Sequence, residues 1–290
     1  MDITLIRTFL EVAATGSFVN ASDRLFVTQS AVSLRIQRLE DSLGKPLFTR
    51  SKAGAELTPA GVEFERYALS LLKLWSEARQ QIALPEGYSA SLTIGAQYSL
   101  WPRVGFGLID GLQRAMPDLS IRAELGMPDR LTRFLIEGVI QAALIYTPQV
   151  RPGLTVRQVF EEELVLVASW PDATDWQDHY IFVDWGPEFL QAHEVEYPTL
   201  TNPGLTLSLG ALAGDYIAER KASGYLPARY VQPFIDRGVL HFVDDAPRVP
   251  YPVWAVVRDD LADNIAQALD REFDALSVQE AHFSAQDAAL

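Results

Sequence analysis

The chain contains no cysteine. That excludes disulfides, thiolate metal sites and cysteine nucleophiles, and it fits a reducing compartment. Histidine is scarce too. His179, His193, His241 and His282 stand far apart, with no His-x-x-x-His or His-Glu-x-x-His spacing, so a catalytic metal centre is not indicated. Gly105-Phe106-Gly107-Leu108-Ile109-Asp110 lacks the third glycine of a dinucleotide fingerprint, and there is neither a Gly-x-Ser-x-Gly elbow nor a phosphate-binding loop. No enzyme activity, cofactor or metal is expected. No apolar run approaches the ~20 residues that span a bilayer. The start MDITLIRTFLEVA has no basic leader or cleavage signal, so a cytoplasmic protein is expected.

Positive charge is also in short supply: the 290 residues carry a net charge of −14. An acidic protein is repelled by polyanionic nucleic acid at long range. The average conceals a segregation, however. Residues 1–58 hold seven Lys/Arg against six Asp/Glu, a net of +1, leaving −15 for the rest; residues 28–52 hold five basic against two acidic side chains. A compact DNA-binding module attached to an acidic body has this distribution.

The first segment reads as three short helices and a hairpin. Leu5, Ile6, Phe9, Leu10 and Ala13 recur at helical spacing after Asp2 and stop at Gly16. A second helix runs from Ser17 to about Leu25, with Phe18, Ala21 and Leu25 on one face. A third starts at Thr28, an N-cap residue, turns Val32, Ile36, Leu39 and Leu43 inward, and ends at Gly44. Its other face is polar: Gln29, Ser30, Ser33, Arg35, Gln37 and Arg38. This is the pattern of a helix-turn-helix. KPLFTRSKAGAELT follows as a hairpin with a small, basic tip, a wing suited to phosphates. Thr58-Pro59 then opens a helix of ~26 residues, ~39 Å, whose stripe of Tyr67, Leu71, Leu74, Trp75, Ala78 and Ile82 calls for a partner. Alone it fits a single-chain core equally well; directly behind a wing it favours a dimer seam.

PEGYSA (85–90) reads as a hinge, after which the pattern changes to β/α alternation. Strands at 92–96, 119–125 and 142–146 alternate with helices from about Pro102 to Ala115 and from Arg130 to Gly138. Strands at 163–168, 180–184, 224–226, 240–243 and 253–257 and helices at 210–222 and 228–237 repeat the grammar as a second lobe. Both lobes are expected to hold parallel, doubly covered sheets. A last amphipathic helix covers 261–276, with a frayed tail behind it.

The stretch SFVNASDRLFVTQSAVSLRIQRLEDSLGKPLFTRSKAGAELTPAG (17–61) resembles the signature of the LysR-type transcriptional regulators, through Thr28 to Ser33, Leu39-Glu40, Leu43-Gly44, Leu47 to Arg50 and Leu57 to Gly61. Looser likeness extends to about residue 276 through 92–96, 138–145, 160–169 and 225–231. The resemblance implies an α/β multidomain chain. Its parts are a winged helix-turn-helix over 1–58, a linker and dimerisation helix with hinge over 59–88, a first effector lobe over 89–159 plus 259–277, a second over 160–258 and a flexible tail over 278–290. The two lobes are periplasmic-binding-protein-like. Partners implied are double-stranded promoter DNA, a small-molecule effector, other copies of the chain in a dimer or tetramer, and RNA polymerase.

Carried over by position, the resemblance implies DNA contacts from Thr28, Gln29, Ser30, Ser33, Leu34, Arg35, Arg38, Arg50, Ser51 and Lys52. Leu34 departs from the polar residue usual there; it can touch a thymine methyl but cannot make arginine's bidentate guanine contact. The effector site it implies lies between the lobes, at Ser99, Leu100, Trp101, Met127, Pro128, Thr147, Thr201, Ser223 and Tyr225, where strand ends and helix N-termini converge. Met127-Pro128 replaces small polar residues and Trp101 is bulky, so this pocket is either more apolar than usual or partly filled. Ser99 and Thr201 read equally as helix caps, and Trp101, Trp185 and Tyr225 as core. Two rivals stay open: a solute-binding protein with a decorative N-terminal domain, and an architectural DNA protein whose lobes bind nothing.

Overall fold

The computed structural model describes residues 2–51, 54–200 and 204–287. The chain divides into two compact units, Met1–Pro85 with Ile136–Val139, and Glu86–Leu135 with Ile140–Leu290.

Local chemistry marks out the first unit. Helix α1 (Ile3–Thr15) begins where the Asp2 carboxylate accepts from Thr4 N at 2.8 Å and stops at Gly16, φ 60°. Helix α2 (Phe18–Leu25) is capped by Ser17 and α3 (Gln29–Leu43) by Thr28, whose Oγ1 accepts from Ala31 N at 3.2 Å. Between α2 and α3 the chain turns through Phe26, left-handed at φ 54° and 94% exposed, a conformation that crowds the Cβ of any non-glycine residue. Ile6, Phe9, Val12, Ala21, Val32, Ile36 and Leu39 form the core. Phe9 lies at its centre, its ring 4.9 Å from Phe64 and 5.2 Å from Phe48. Leu43, expected inward, is 41% exposed. It is the last residue of α3, directly before the left-handed Gly44 cap.

The wing is the hairpin β1 (Phe48–Ser51) and β2 (Gly54–Leu57), registered Phe48↔Leu57 to Ser51↔Gly54. Helix α4 (Pro59–Ile82) follows, with Thr58 as N-cap and Pro59 at its first position. Gly61 is required there, because a Cβ would run into the Leu47 carbonyl.

In the second unit the strands β3 (Ala90–Ala96), β4 (Leu119–Leu125) and β5 (Ala142–Ile145) are parallel, as expected. Around them lie α5 (Phe106–Ala115), α6 (Pro128–Ile136) and α10 (Asp263–Asp287), which packs through Ile265, Leu269, Phe273 and Leu276. Strands β6 (Leu154–Ala168) and β11 (Val249–Arg258) are an antiparallel pair long enough to run through both lobes. The second lobe adds β7 (Phe182–Val183), α7 (Pro187–Glu196), β8 (Thr206–Leu207), α8 (Ala213–Ala218), β9 (Ser223–Pro227), α9 (Ala228–Asp236) and β10 (His241–Phe242). One seven-stranded sheet results, ordered β10-β6-β11-β5-β3-β4 with β9 also paired to β6; β7 and β8 form a separate parallel pair.

Several sequence expectations are corrected here. The second lobe is not a second parallel sheet, since β9, β10 and β11 all run antiparallel to β6. Alternation of apolar runs reports that strands exist and says nothing of their direction. Strands read at 163–168 and 253–257 begin earlier, because the first half of β6 carries Arg157, Glu161 and Glu162, and β11 carries Pro250 and Pro252, residues that argue against a strand when read alone. Helix α7 was missed: it buries only Phe189 and His193, too few positions to make a stripe. The last helix continues to Asp287, into the segment read as frayed.

Candidate nucleic-acid interface and inter-lobe cavity

The polar face of α3 is assembled from helix geometry. With Val32, Ile36 and Leu39 buried, the opposite side presents Ser30, Leu34, Gln37 and Arg38, all exposed, with Gln29 exposed at the first turn and Ser33 half-buried beside it. Leu34 stands at the middle of this ridge and is 48% exposed, an apolar side chain framed by amides and hydroxyls. Gln37 shares the ridge yet was not among the residues named as contacts; its spacing of three from Leu34 and four from Ser33 was the available signal. Arg35 sits elsewhere, on the flank toward α1, where its guanidinium donates to Thr8 Oγ1 at 3.4 Å. Its charge also adds to the lowering of the Asp2 carboxyl pKa, which is due first to the hydrogen bonds from Thr4. Thr28 Oγ1 is occupied in capping and pairs with Ser30 Oγ at 3.0 Å.

The wing is fastened to this helix through the Glu40 side chain and to the end of α1 through a backbone bond. Glu40 Oε1 accepts from Leu47 N at 2.7 Å and Phe48 N at 3.3 Å, Thr58 Oγ1 donates to the Pro46 carbonyl at 2.8 Å, and Ala55 N donates to Gly16 O at 2.7 Å. Glu40 therefore sets where the hairpin stands relative to α3. Arg50 lies with Cζ 4.1 Å from the centroid of Phe18, a cation–π contact that orders an exposed side chain. Ser51 is exposed at the end of β1; Lys52 lies outside the described residues.

Helix α4 carries two apolar stripes. Phe64, Ala68 and Leu72 are buried in the core of the unit. Tyr67, Leu74, Trp75, Ala78 and Ile82 are exposed, Ile82 to 86%, and Leu71 is half-buried.

In the second unit, aromatic rings cross the junction of the two lobes. Tyr146, at the end of β5, stacks on Tyr251 of β11 with centroids 4.1 Å apart, and Trp185 meets Tyr251 edge-on at 5.7 Å. Their polar atoms are satisfied: Tyr251 OH donates to Trp185 O at 3.0 Å, Trp185 Nε1 donates to Tyr225 O at 2.8 Å, and Ser99 Oγ lies 2.9 Å from Tyr146 OH. Burial raises the Tyr146 pKa well above 10, with the Glu162 charge adding to the effect. Beside this column is a cavity of about 410 Å³. One wall is formed by Tyr98, Ser99, Leu100, Pro102 and Val104 of the first lobe, and the other by Asp215 of α8 and Arg229, Tyr230, Pro233 and Phe234 of α9, with Glu162 of β6 at its side.

Of the effector residues named from the sequence, Ser99 and Leu100 line this cavity. Trp101 does not; it is buried against Gly105 and 6.1 Å from Phe106. Met127 is exposed, while Pro128 and Thr147 are half-buried, with Thr147 Cγ2 facing Gly186; none of the three lines the cavity. Ser223 is wholly buried in β9 and donates to Trp176 O at 2.7 Å, and Tyr225 OH donates to Pro247 O at 3.1 Å. Both belong to the second lobe's core, because every residue of β9 is buried. Thr201 lies outside the described residues. Arg229, Tyr230 and Phe234 give no signal in the sequence because the stripe of α9 reads as core packing; Glu162, within Glu161-Glu162-Glu163, reads as solvated charge at a lobe boundary, and Asp215 stands alone on a short helix.

Residues 3–62 match the family described as "Bacterial regulatory helix-turn-helix protein, lysR family", and residues 85–272 match "LysR substrate binding domain". The HTH-type transcriptional regulator HdfR of Salmonella schwarzengrund (strain CVM19633) is 31% identical over 260 residues, covering 88% of this chain and 92% of that one. Among solved structures, full-length LysG of Corynebacterium glutamicum with bound effector Arg aligns with a TM-score of 0.56 at 19% identity, covering 96% of this chain and 99% of that one. Full-length CbnR complexed with its target DNA aligns at 0.50 and 20% identity, covering 96% and 100%.

Proposed function

Because this chain belongs to the LysR family of DNA-binding transcriptional regulators, with the helix-turn-helix and the effector-binding substrate domain both present, we propose which of its residues read DNA and where its effector acts. The α3 ridge enters the major groove. Gln29, Ser33, Leu34 and Gln37 meet base edges, Leu34 against a thymine methyl. Thr28, Ser30, Arg35, Arg38, Arg50, Ser51 and Lys52 contact phosphates and hold the register. The acidic remainder keeps non-specific DNA at a distance, so contact is confined to the N-terminal unit.

Two copies pair through the outer stripe of α4, which sets two recognition helices about one turn, ~34 Å, apart on an inverted repeat. A small molecule held between the lobes shifts the balance between assemblies, through unequal affinity for them. The chain acts by binding rather than chemistry, in the cytoplasm, and its output passes through RNA polymerase at the promoter. No helix among the described residues is long and apolar enough to cross a membrane.

The observation that carries the DNA reading is the exposed α3 ridge standing beside an Arg50 ordered on Phe18. Mapping genomic occupancy and titrating the full chain against a mapped site tests it. Binding that weakens steeply between about 50 and about 200 mM salt, with a preference of at least ~10³ over random duplex, is expected. Salt-insensitive or negligible DNA affinity would leave a solute-binding protein instead.

A further inference from the structure

We propose that the inter-lobe cavity bounded by Tyr98, Tyr230 and Phe234 binds an organic cation, an alkyl- or aralkylammonium whose charge faces these rings and Asp215. This rests on the effector reading of the substrate domain and names the ligand class. At about 410 Å³ the space is within the range of small-molecule sites.

Three aromatic rings follow one another along one side. Tyr98 and Tyr230 have centroids 6.4 Å apart at 58°, and Tyr230 and Phe234 are 5.8 Å apart at 36°. The faces of such rings carry negative potential and attract an ammonium that has left water. Gly214 of α8 makes room for this arrangement: a Cβ there would stand 2.9 Å from Tyr230 Cε1.

Charge decides the sign of the ligand. Two carboxylates, Glu162 and Asp215, line the cavity against one guanidinium, Arg229. Arg229 is held in the fold, buried, with Cζ 4.5 Å over the Phe160 ring and its backbone N–H on Glu162 Oε1 at 3.4 Å. Asp215 is exposed, and its charge reinforces the upward shift that burial gives the Tyr230 hydroxyl pKa, which places the carboxylate near the cage. An anionic ligand would meet one more carboxylate than guanidinium among the lining residues. A cation meets two carboxylates and three aromatic rings against the single guanidinium, which offsets its lost hydration. Leu100, Val104 and Pro233 complete the lining and receive an apolar body.

The test is calorimetric titration of the full chain with three probes of one shape: 2-phenylethylammonium, 2-phenylethanol and phenylacetate. The ammonium should bind roughly tenfold or more tightly than the alcohol, and phenylacetate most weakly. Asp215→Asn, at an exposed position, and Tyr230→Leu should each weaken the ammonium roughly tenfold. Phenylacetate binding as well as the ammonium, or Asp215→Asn binding the ammonium like the unaltered protein, overturns the proposal. If no probe binds while DNA binding is normal, the cation site fails and the DNA reading stands. If the ammonium binds as expected yet leaves the DNA complex unaltered, the site stands and the cavity's regulatory role fails.

Discussion

Replacing Phe18 by leucine removes the ring under Arg50 while keeping an apolar side chain in the core. The guanidinium loses a cation–π contact at 4.1 Å on an exposed site, a contribution of ~0.5–1 kcal/mol. If that contact holds Arg50 ready for a phosphate, its loss appears in DNA affinity as a factor of about 2–5, since ~1.4 kcal/mol corresponds to tenfold. The effect should be the same on operator and random duplex, because phosphate contacts carry no base information. The salt slope should not change, because the charge is still present. Arg50→Ala, by contrast, should lower the slope of log K against log salt by ~0.9. Fluorescence anisotropy on both duplexes between about 50 and about 200 mM salt measures each quantity. Phe18 also packs edge-on against Phe48 at 5.8 Å, so the variant should be less stable by ~1 kcal/mol and must be assayed well below its unfolding temperature. Tighter binding by Phe18→Leu would show that the stack competes with phosphate and would refute the reasoning.

Phe26→Asn should relieve a left-handed strain of roughly 1 kcal/mol at a surface-exposed turn and raise the melting temperature of the N-terminal unit by a few degrees; a lower one would mean that the exposed ring has an unrecognised contact. Leu74→Glu combined with Ile82→Glu charges the outer stripe of α4 without touching Phe64, Ala68 or Leu72, so sedimentation should show a smaller assembly and operator affinity should fall by ~10² or more, and an unchanged mass would remove α4 as the seam. His193 is buried among Tyr180, Phe182, Phe189, Tyr197 and Tyr225, and that burial holds its pKa below the ordinary 6.5 despite the nearby Glu194. The unfolded chain therefore binds the extra proton first, and stability contributed by the neutral imidazole is complete above about pH 6.5 and declines below it. Urea midpoints at pH 7.5 and pH 5.5 should differ less in His193→Phe than in the unaltered protein; equal differences would show that His193 is not the titrating group.

Local interactions account for what was legible without a structure. The N-caps Asp2, Ser17, Thr28 and Thr58, the left-handed stops Gly16 and Gly44 and the buried set on α3 all depend on residues a turn or two apart, so the helix-turn-helix and its polar ridge follow from residue spacing. The parallel strands β3, β4 and β5 were similarly visible as apolar runs between amphipathic helices. Tertiary packing decided the rest. It chose the direction of β6 and β11, where charges and prolines mask the first half of each strand; it turned Arg35 toward Thr8 and set Arg50 on Phe18; and it withdrew Ser223 and Tyr225 into the core. It also brought Tyr98, Asp215 and Tyr230 to one cavity from three separate elements. Contacts between residues distant in the chain leave no periodicity in it, and so only the folded molecule contains them.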